Sequence, residues 1–140
     1  MIEAFETRLR EQCPGLADVR TAEDLDMLEK AAAVPHGTAF VIPYRERAGE
    51  NHLSAGGFRQ LVVTQILVAF VTRRHDDPTG AARARQFDGL KAEIERALAG
   101  WTPPAAHDPC ELVGGEGTPL GNGVSIYVQT WETSRLLQGA

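Results

Sequence analysis

The spacing of hydrophobic and polar positions along this chain changes several times, and the longest apolar stretch sets the frame for the rest. Residues 60–74 (QLVVTQILVAFVTRR) are dense in β-branched and aromatic types with no Gly or Pro among them, a composition that fits a pleated, half-buried surface. Extended throughout, the run reaches roughly 45 Å at ~3.3 Å per residue. One parity carries Leu61, Val63, Gln65, Leu67, Ala69 and Val71, and the other carries Val62, Thr64, Ile66, Val68 and Phe70. The second half is therefore apolar on both faces and needs a cover on each. Helices of the same chain supply one cover, and the shortage of helices for the other points to a second subunit. The competing arrangement puts the first two helices on one face and the third on the other, leaving an ordinary monomer core.

The flanking segments follow their own periods. Ile2, Phe5 and Leu9 recur at helical spacing in residues 2–12, with charged residues around the other side and Pro14-Gly15 as the stop. A short strand is expected at 17–21. A second helix is expected at 23–33, with Leu25, Leu28 and alanines 31 to 33 as its stripe, Thr21 as a cap and Pro35-His36-Gly37 as its end. Residues 38–44 (TAFVIPY) read as a strand whose Pro43 places that end at an edge or a bulge. Residues 45–57 (RERAGENHLSAGG) show no hydrophobic period and read as a mobile loop or hairpin excursion, longer than the usual connection.

After the long strand, residues 79–99 carry Ala84, Phe87, Leu90, Ile94 and Leu98 at steps of three and four, the clearest helical pattern in the chain. Phe87 and Ile94 are the residues expected to cover the long strand. Gly100 ends this helix, Trp101 follows as an anchor, and Pro103-Pro104 forbid continuation. Residues 108–113 (DPCELV) read as a short strand and 114–123 as a glycine-rich turn. Residues 124–133 alternate, with Val124, Ile126, Val128 and Thr130 on one side and Ser125, Tyr127, Gln129 and Trp131 on the other. That last strand can pair beside the long one. The order of elements predicts a single α+β domain over residues 1–140, with one mostly antiparallel sheet and two or three helices packed mainly on one face.

Composition narrows the function classes. A chain of 140 residues with 43% hydrophobic content buries enough surface to fold without metal or disulfide staples. The formal charge of −5 gives no electrostatic reason to expect nucleic acid as a partner. Cys13 and Cys110 are far apart and in no metal-ligand spacing, which predicts two reduced thiols in an intracellular protein. The opening residues MIEAFETRLREQ lack the apolar segment of a signal peptide, and no run is long enough for a membrane helix.

Candidate chemistry is thin. His36, His52, His75 and His107 fall in expected loops without ligand-pair spacing, so solvated imidazoles are the default and a small metal-dependent enzyme built on the loops around His36, His75 and His107 is the rival reading. His75-Asp76-Asp77 before Pro78 reads as a turn and helix entry. Gly114-Gly115-Glu116-Gly117 has the glycines of a phosphate cradle but neither a G-K-[ST] ending nor a following helix. Cys110 reads as a buried core thiol. No catalytic residue, cofactor or metal site is assigned.

Several motifs together resemble a known family. They are the amphipathic first helix, the long strand ending in Arg73-Arg74, and L-x-G-W-x-P-P (Leu98, Gly100, Trp101, Pro103, Pro104). E-L-V-G-G at 111–115 and a closing strand through Tyr127 and Trp131 complete the set. This pattern is similar to the tail terminator proteins of long-tailed bacteriophages and prophages, their Mu-like branch nearest, over residues 55–137 and more weakly before. Each piece is moderately specific, and their order is more specific than any one of them. The resemblance implies a structural, non-enzymatic protein that forms a hexameric ring on the head-proximal end of the tail tube. There it ends tube polymerisation and offers a surface for joining the head. The implied partners are further copies of the chain, the tail tube protein and head-tail connector or completion proteins, in the host cytoplasm during assembly and then in the virion tail. Another neck or tail-completion component is the alternative within the same class. Under this reading Arg45, Arg47, His52, Arg59, Arg73, Arg74, Tyr127 and Trp131 are the residues expected to meet the tube or a neighbouring subunit, the arginines through bidentate pairing with acidic groups.

Overall fold

The long strand of the sequence, β3 (Arg59–Arg73), is the middle of a five-stranded sheet ordered β1-β2-β3-β5-β4. A computed structural model describes residues 1–23, 33–53, 55–73, 81–121 and 123–139, with backbone alone for 81–83. β1 (Asp18–Thr21) pairs in parallel with β2 (Thr38–Asn51), and every other neighbour is antiparallel. β5 (Val124–Gln138) runs beside β3 from Arg73↔Val124 to Arg59↔Gln138 without a register shift, and β4 (Asp108–Gly121) closes the sheet on the far side of β5. A parallel neighbour cannot be reached by a tight hairpin, and residues 22–37 make the connection from β1 to β2. The helix expected over 23–33 falls on residues 24–32, outside the described residues.

α1 (Ile2–Gln12) and α2 (Ala81–Leu98) lie on the same face of the sheet. Phe5 and Leu9 of α1 and Leu90, Ile94 and Leu98 of α2 are buried against Ile66, Val68 and Phe70 of β3. Phe87 packs on Phe70 with ring centroids 5.6 Å apart, as its place in the helical stripe predicts. The first and last of the expected helices thus share a face, which corrects the arrangement that set them on opposite faces. The link between the helices and the sheet edge is Trp101. Its ring meets Phe5 edge-on at 5.3 Å, and its carbonyl accepts the Cys110 N–H at 2.7 Å. Gly100 reaches φ +77° to make that turn, a region most side chains avoid.

The other parity of β3 forms a second cluster. Leu67, Ala69 and Val71 pack with Phe40 and Ile42 of β2 and Val124 and Ile126 of β5, joined by Ala22 and Val34 from the two ends of the β1–β2 connection. These β3 residues are at most 3% exposed within one chain. The expectation that the doubly apolar half of the strand leaves uncovered surface for a second subunit is therefore corrected: neighbouring strands project apolar residues of matching parity and the ends of the connection close over them.

Two further expectations change. Of the two alternatives for residues 45–57, the hairpin holds and the mobile loop does not over 45–51, which are the second half of β2, paired with 60–65 of β3 after a bulge at Tyr44. A strand exposed on both faces has no hydrophobic period to read; its ladder is held by backbone hydrogen bonds, which any side chain permits. Residues 114–121 are likewise strand, not turn. Gly115 there answers to packing, because a side chain at that position would collide with the Tyr127 ring and hydroxyl.

Candidate assembly surface

β4 stops at the level of Ser134, while β2, β3 and β5 continue past it. The sheet consequently has a helix-backed half and an arm made of residues 45–51, 59–65 and 132–138, three-stranded past Ser134. The arm is held by side chains that cross its strands. Arg135 clasps Glu46 with two hydrogen bonds, Nε to Oε2 at 2.9 Å and Nη2 to Oε1 at 3.0 Å, and Thr64 Oγ1 donates to the same carboxylate at 2.7 Å. The Arg135 and Thr64 hydrogen bonds hold the Glu46 carboxyl below the usual carboxylate range. On the face opposite the helices, Arg45 Nε donates to Gln65 Oε1 at 2.8 Å, and Gln65 Nε2 donates to Glu132 Oε1 at 3.0 Å.

The residues singled out in the sequence separate on this frame. Arg45 and Arg47 lie on the arm, Arg45 also stacked over the Tyr44 ring at 5.0 Å. His52 and Arg59 sit exposed at its tip, where the His52 N–H donates to the Arg59 carbonyl at 2.9 Å. Arg73 is at the opposite end of β3, half-buried, its Nε donating to the Val34 carbonyl at 2.6 Å and its N–H to His36 Nδ1 at 2.9 Å. That places Arg73 in the anchoring of the β1–β2 connection. Arg74 lies outside the described residues.

Tyr127 and Trp131 are on the helix side. Tyr127 is half-buried between Phe70 and Phe87, with centroids at 5.7 and 4.9 Å. Trp131 is 1% exposed and donates its indole N–H to Gln129 Oε1 at 3.2 Å. The alternation of the last strand was readable, but which parity faces inward depends on where the helices sit. Both aromatics serve the protomer's own core, and Trp131 has no surface to offer a partner.

The exposed large apolar side chains are elsewhere. Leu53, Phe58 and Leu137 gather toward the arm's tip, and Tyr44, Leu112 and Val113 lie near the bulges of β2 and β4. Tyr44 and Val113, both about half exposed, line a shallow groove with Leu67, Gly114, Val128 and Thr130. The sequence signal for these positions was weak: Phe58 and Val113, for example, are single apolar residues beside glycine in segments without period.

Reactive groups are muted. Cys13 and Cys110 are free, buried thiols, the first pushed up to about 11 by burial and the nearby Glu93 carboxylate and the second to about 12 by burial alone. Neither is a thiolate near neutral pH. His52 and His107 are exposed, His36 accepts the Arg73 N–H, and His75 lies outside the described residues. Among the described residues no group of three or more His, Cys, Asp or Glu side chains is placed to hold a metal, and no helix is long and apolar enough to cross a membrane.

The family model described as "Phage tail terminator protein" matches residues 2–139. The chain belongs to that family. It is thus a structural protein of the phage tail. No curated protein matches the chain. Among solved structures, a chain of the "Virion of native gene transfer agent (GTA) particle" is similar at 13% identity and TM-score 0.60, covering 99% of this chain and 95% of that one, a likeness of fold. For a tail terminator the informative geometry is the exposed surface, and its large apolar side chains gather near the tip of the arm and at the bulges of β2 and β4.

Proposed function

We propose that this protein caps the head-proximal end of the tail tube as a hexameric ring, ends tube polymerisation there and offers the surface to which the head is joined. The match to the tail terminator family over residues 2–139 carries this reading. The fold is consistent with it in one respect. A monomer has no structural need for an arm that lies beyond its helices and ends in exposed Leu53, Phe58 and Leu137, and exposed apolar side chains gathered at one place mark protein contacts. His52 and Arg59 at the same tip are the polar groups assigned to the tube, and Arg45 and Arg47 lower on the arm are those assigned to a neighbouring copy. Head-tail connector or completion proteins are the partners on the other side of the ring.

The test is to add purified protein to polymerising cognate tube protein and to measure tube lengths and end structures by electron microscopy. Tubes become shorter and carry a ring at one end as the protein is titrated. Unchanged lengths and bare ends would refute termination as the function.

A further inference from the structure

Both outer edges of the sheet are open among the described residues, and on one face they carry opposite charge. β1 covers β2 only from Thr38 to Val41, so the rest of β2 has no strand on its outer side. β4 has no strand partner but β5, and the Gly100–Trp101 backbone takes both the N–H and the carbonyl of Cys110, so its outer side is open from Glu111 onward. Rows of unpaired backbone N–H and C=O groups are templates for another strand. Pro43 marks the start of the open part of β2, and Pro109 and Pro119 stand near the ends of β4. Residues 44–51 and 111–118 contain no proline, so no backbone donor is missing from them.

On the face opposite the helices, β2 presents Arg45 and Arg47, which lie across from Gln65 and Val63 of β3. On that same face β4 presents Glu111 and Glu116, which lie across from Glu132 and Val128 of β5. β4 contains no Lys or Arg, and Arg47, Glu111 and Glu116 make no ion pair within the described protomer. Strand direction completes the case. β2 is antiparallel to β3, β3 to β5 and β5 to β4, so β2 and β4 run in opposite senses. A copy related by simple rotation about a ring axis brings its β4 alongside β2 in antiparallel sense. Pairing β2 with β2, or β4 with β4, would instead set like charges against each other.

We propose that the open edge of β2 in one protomer pairs with the open edge of β4 in the next, with Arg47 facing Glu116 and Arg45 beside it on the same face, so that the sheet runs on from copy to copy. A contact that uses a different surface on each side closes into a ring when its rotation closes. The inference rests on the ring reading above and adds which surfaces join.

Ala48 and Gly117 lie at the two edges on the helix side. Ala48 is exposed, and a side chain at Gly117 would meet Tyr127 at an ordinary 3.6 Å. The variants Ala48→Cys, Gly117→Cys and the double variant are treated with a short bis-maleimide, in concentrated solution and on capped tubes, with the wild type as control for the buried Cys13 and Cys110. The double variant gives a ladder of covalent multimers, an equal mixture of the two single variants gives dimers only, and each single variant alone gives none. Arg47→Glu depletes the ladder by roughly tenfold, and adding Glu116→Arg restores it, which separates lost pairing from lost folding. Dimers from one single variant alone, or no product from the double variant beyond the wild-type background, overturn the edge contact. Tube lengths from the same samples keep the two readings apart. Normal termination without a ladder rejects the edge contact and leaves the cap, whereas a ladder beside unterminated tubes rejects the cap and leaves the contact.

Discussion

The two halves of β3 live in different surroundings although they form one continuous strand. From Ile66 to Val71 every residue is buried, under the helices on one side and within the second cluster on the other. From Arg59 to Gln65 the strand is mostly exposed or half-exposed, and its neighbours on β2 are exposed throughout. Removal of apolar surface from water stabilises the first half. The second half gains little from burial and is held by its ladder and the Glu46–Arg135–Thr64 cluster. The contrast teaches a division of labour: one half makes the protomer, and the other is free to make contacts.

Mutations break this comparison in a graded way. Phe70→Ala, in the helix-backed half, removes a fully buried ring that touches Phe87 and Tyr127 and costs about 3–5 kcal/mol in urea unfolding. Gly115→Ala comes next: the added methyl displaces the Tyr127 ring from its seat, at a cost of roughly 1–3 kcal/mol by the same measurement. If Gly115→Ala were neutral, the reason given for that glycine would be wrong.

Titration sharpens the comparison between the halves. The two buried thiols have raised pKa values, so the native state favours their protonated form. Their contribution is complete below the ordinary thiol pKa and is lost as pH rises toward about 11 for Cys13 and about 12 for Cys110. Replacing both by Ala makes the alkaline limb of the stability curve shallower. In the arm the sign is opposite. Glu46 has a lowered pKa, so its contribution is present above the ordinary carboxylate pKa and is lost as pH falls through its native value. The pair is exposed enough to be screened by solvent and salt, so Arg135→Ala costs only about 0.5–1 kcal/mol at neutral pH, with the difference from wild type shrinking in acid. Arg47→Ala has the smallest effect on folding, within about 0.5 kcal/mol of wild type. A large loss there would mean that the arm is part of the protomer's stability after all.

The helix-backed half was legible in the sequence and the arm was not. α1, α2 and the long strand follow from the run of residue types and their spacing, because burying a face restricts which residues can occupy it. The extension of β2 through Arg45–Gln65 and Arg47–Val63 pairs was invisible, since a strand wet on both faces obeys no period. β4 was cut short at Val113 because Gly114, Gly115 and Gly117 look like a turn, although Gly115 yields its side-chain space to Tyr127. The exposure of the residues singled out was half legible. Arg45, Arg47, His52 and Arg59 do fall on the exposed arm, whereas Arg73 anchors a connection and Trp131 fills the core. Choosing between the two faces of β5 needed the positions of α1 and α2, which no local pattern carries.

Hydrogen–deuterium exchange, measured on the free protein and on the protein seated at tube ends, tests the division of labour most directly. Amides of residues 42–53, 58–63 and 108–121 become slower to exchange on assembly, while those of α1 and α2, already protected by the core, change little. New protection confined to the helices, with the arm and both sheet edges exchanging as fast as in the free protein, would contradict the account.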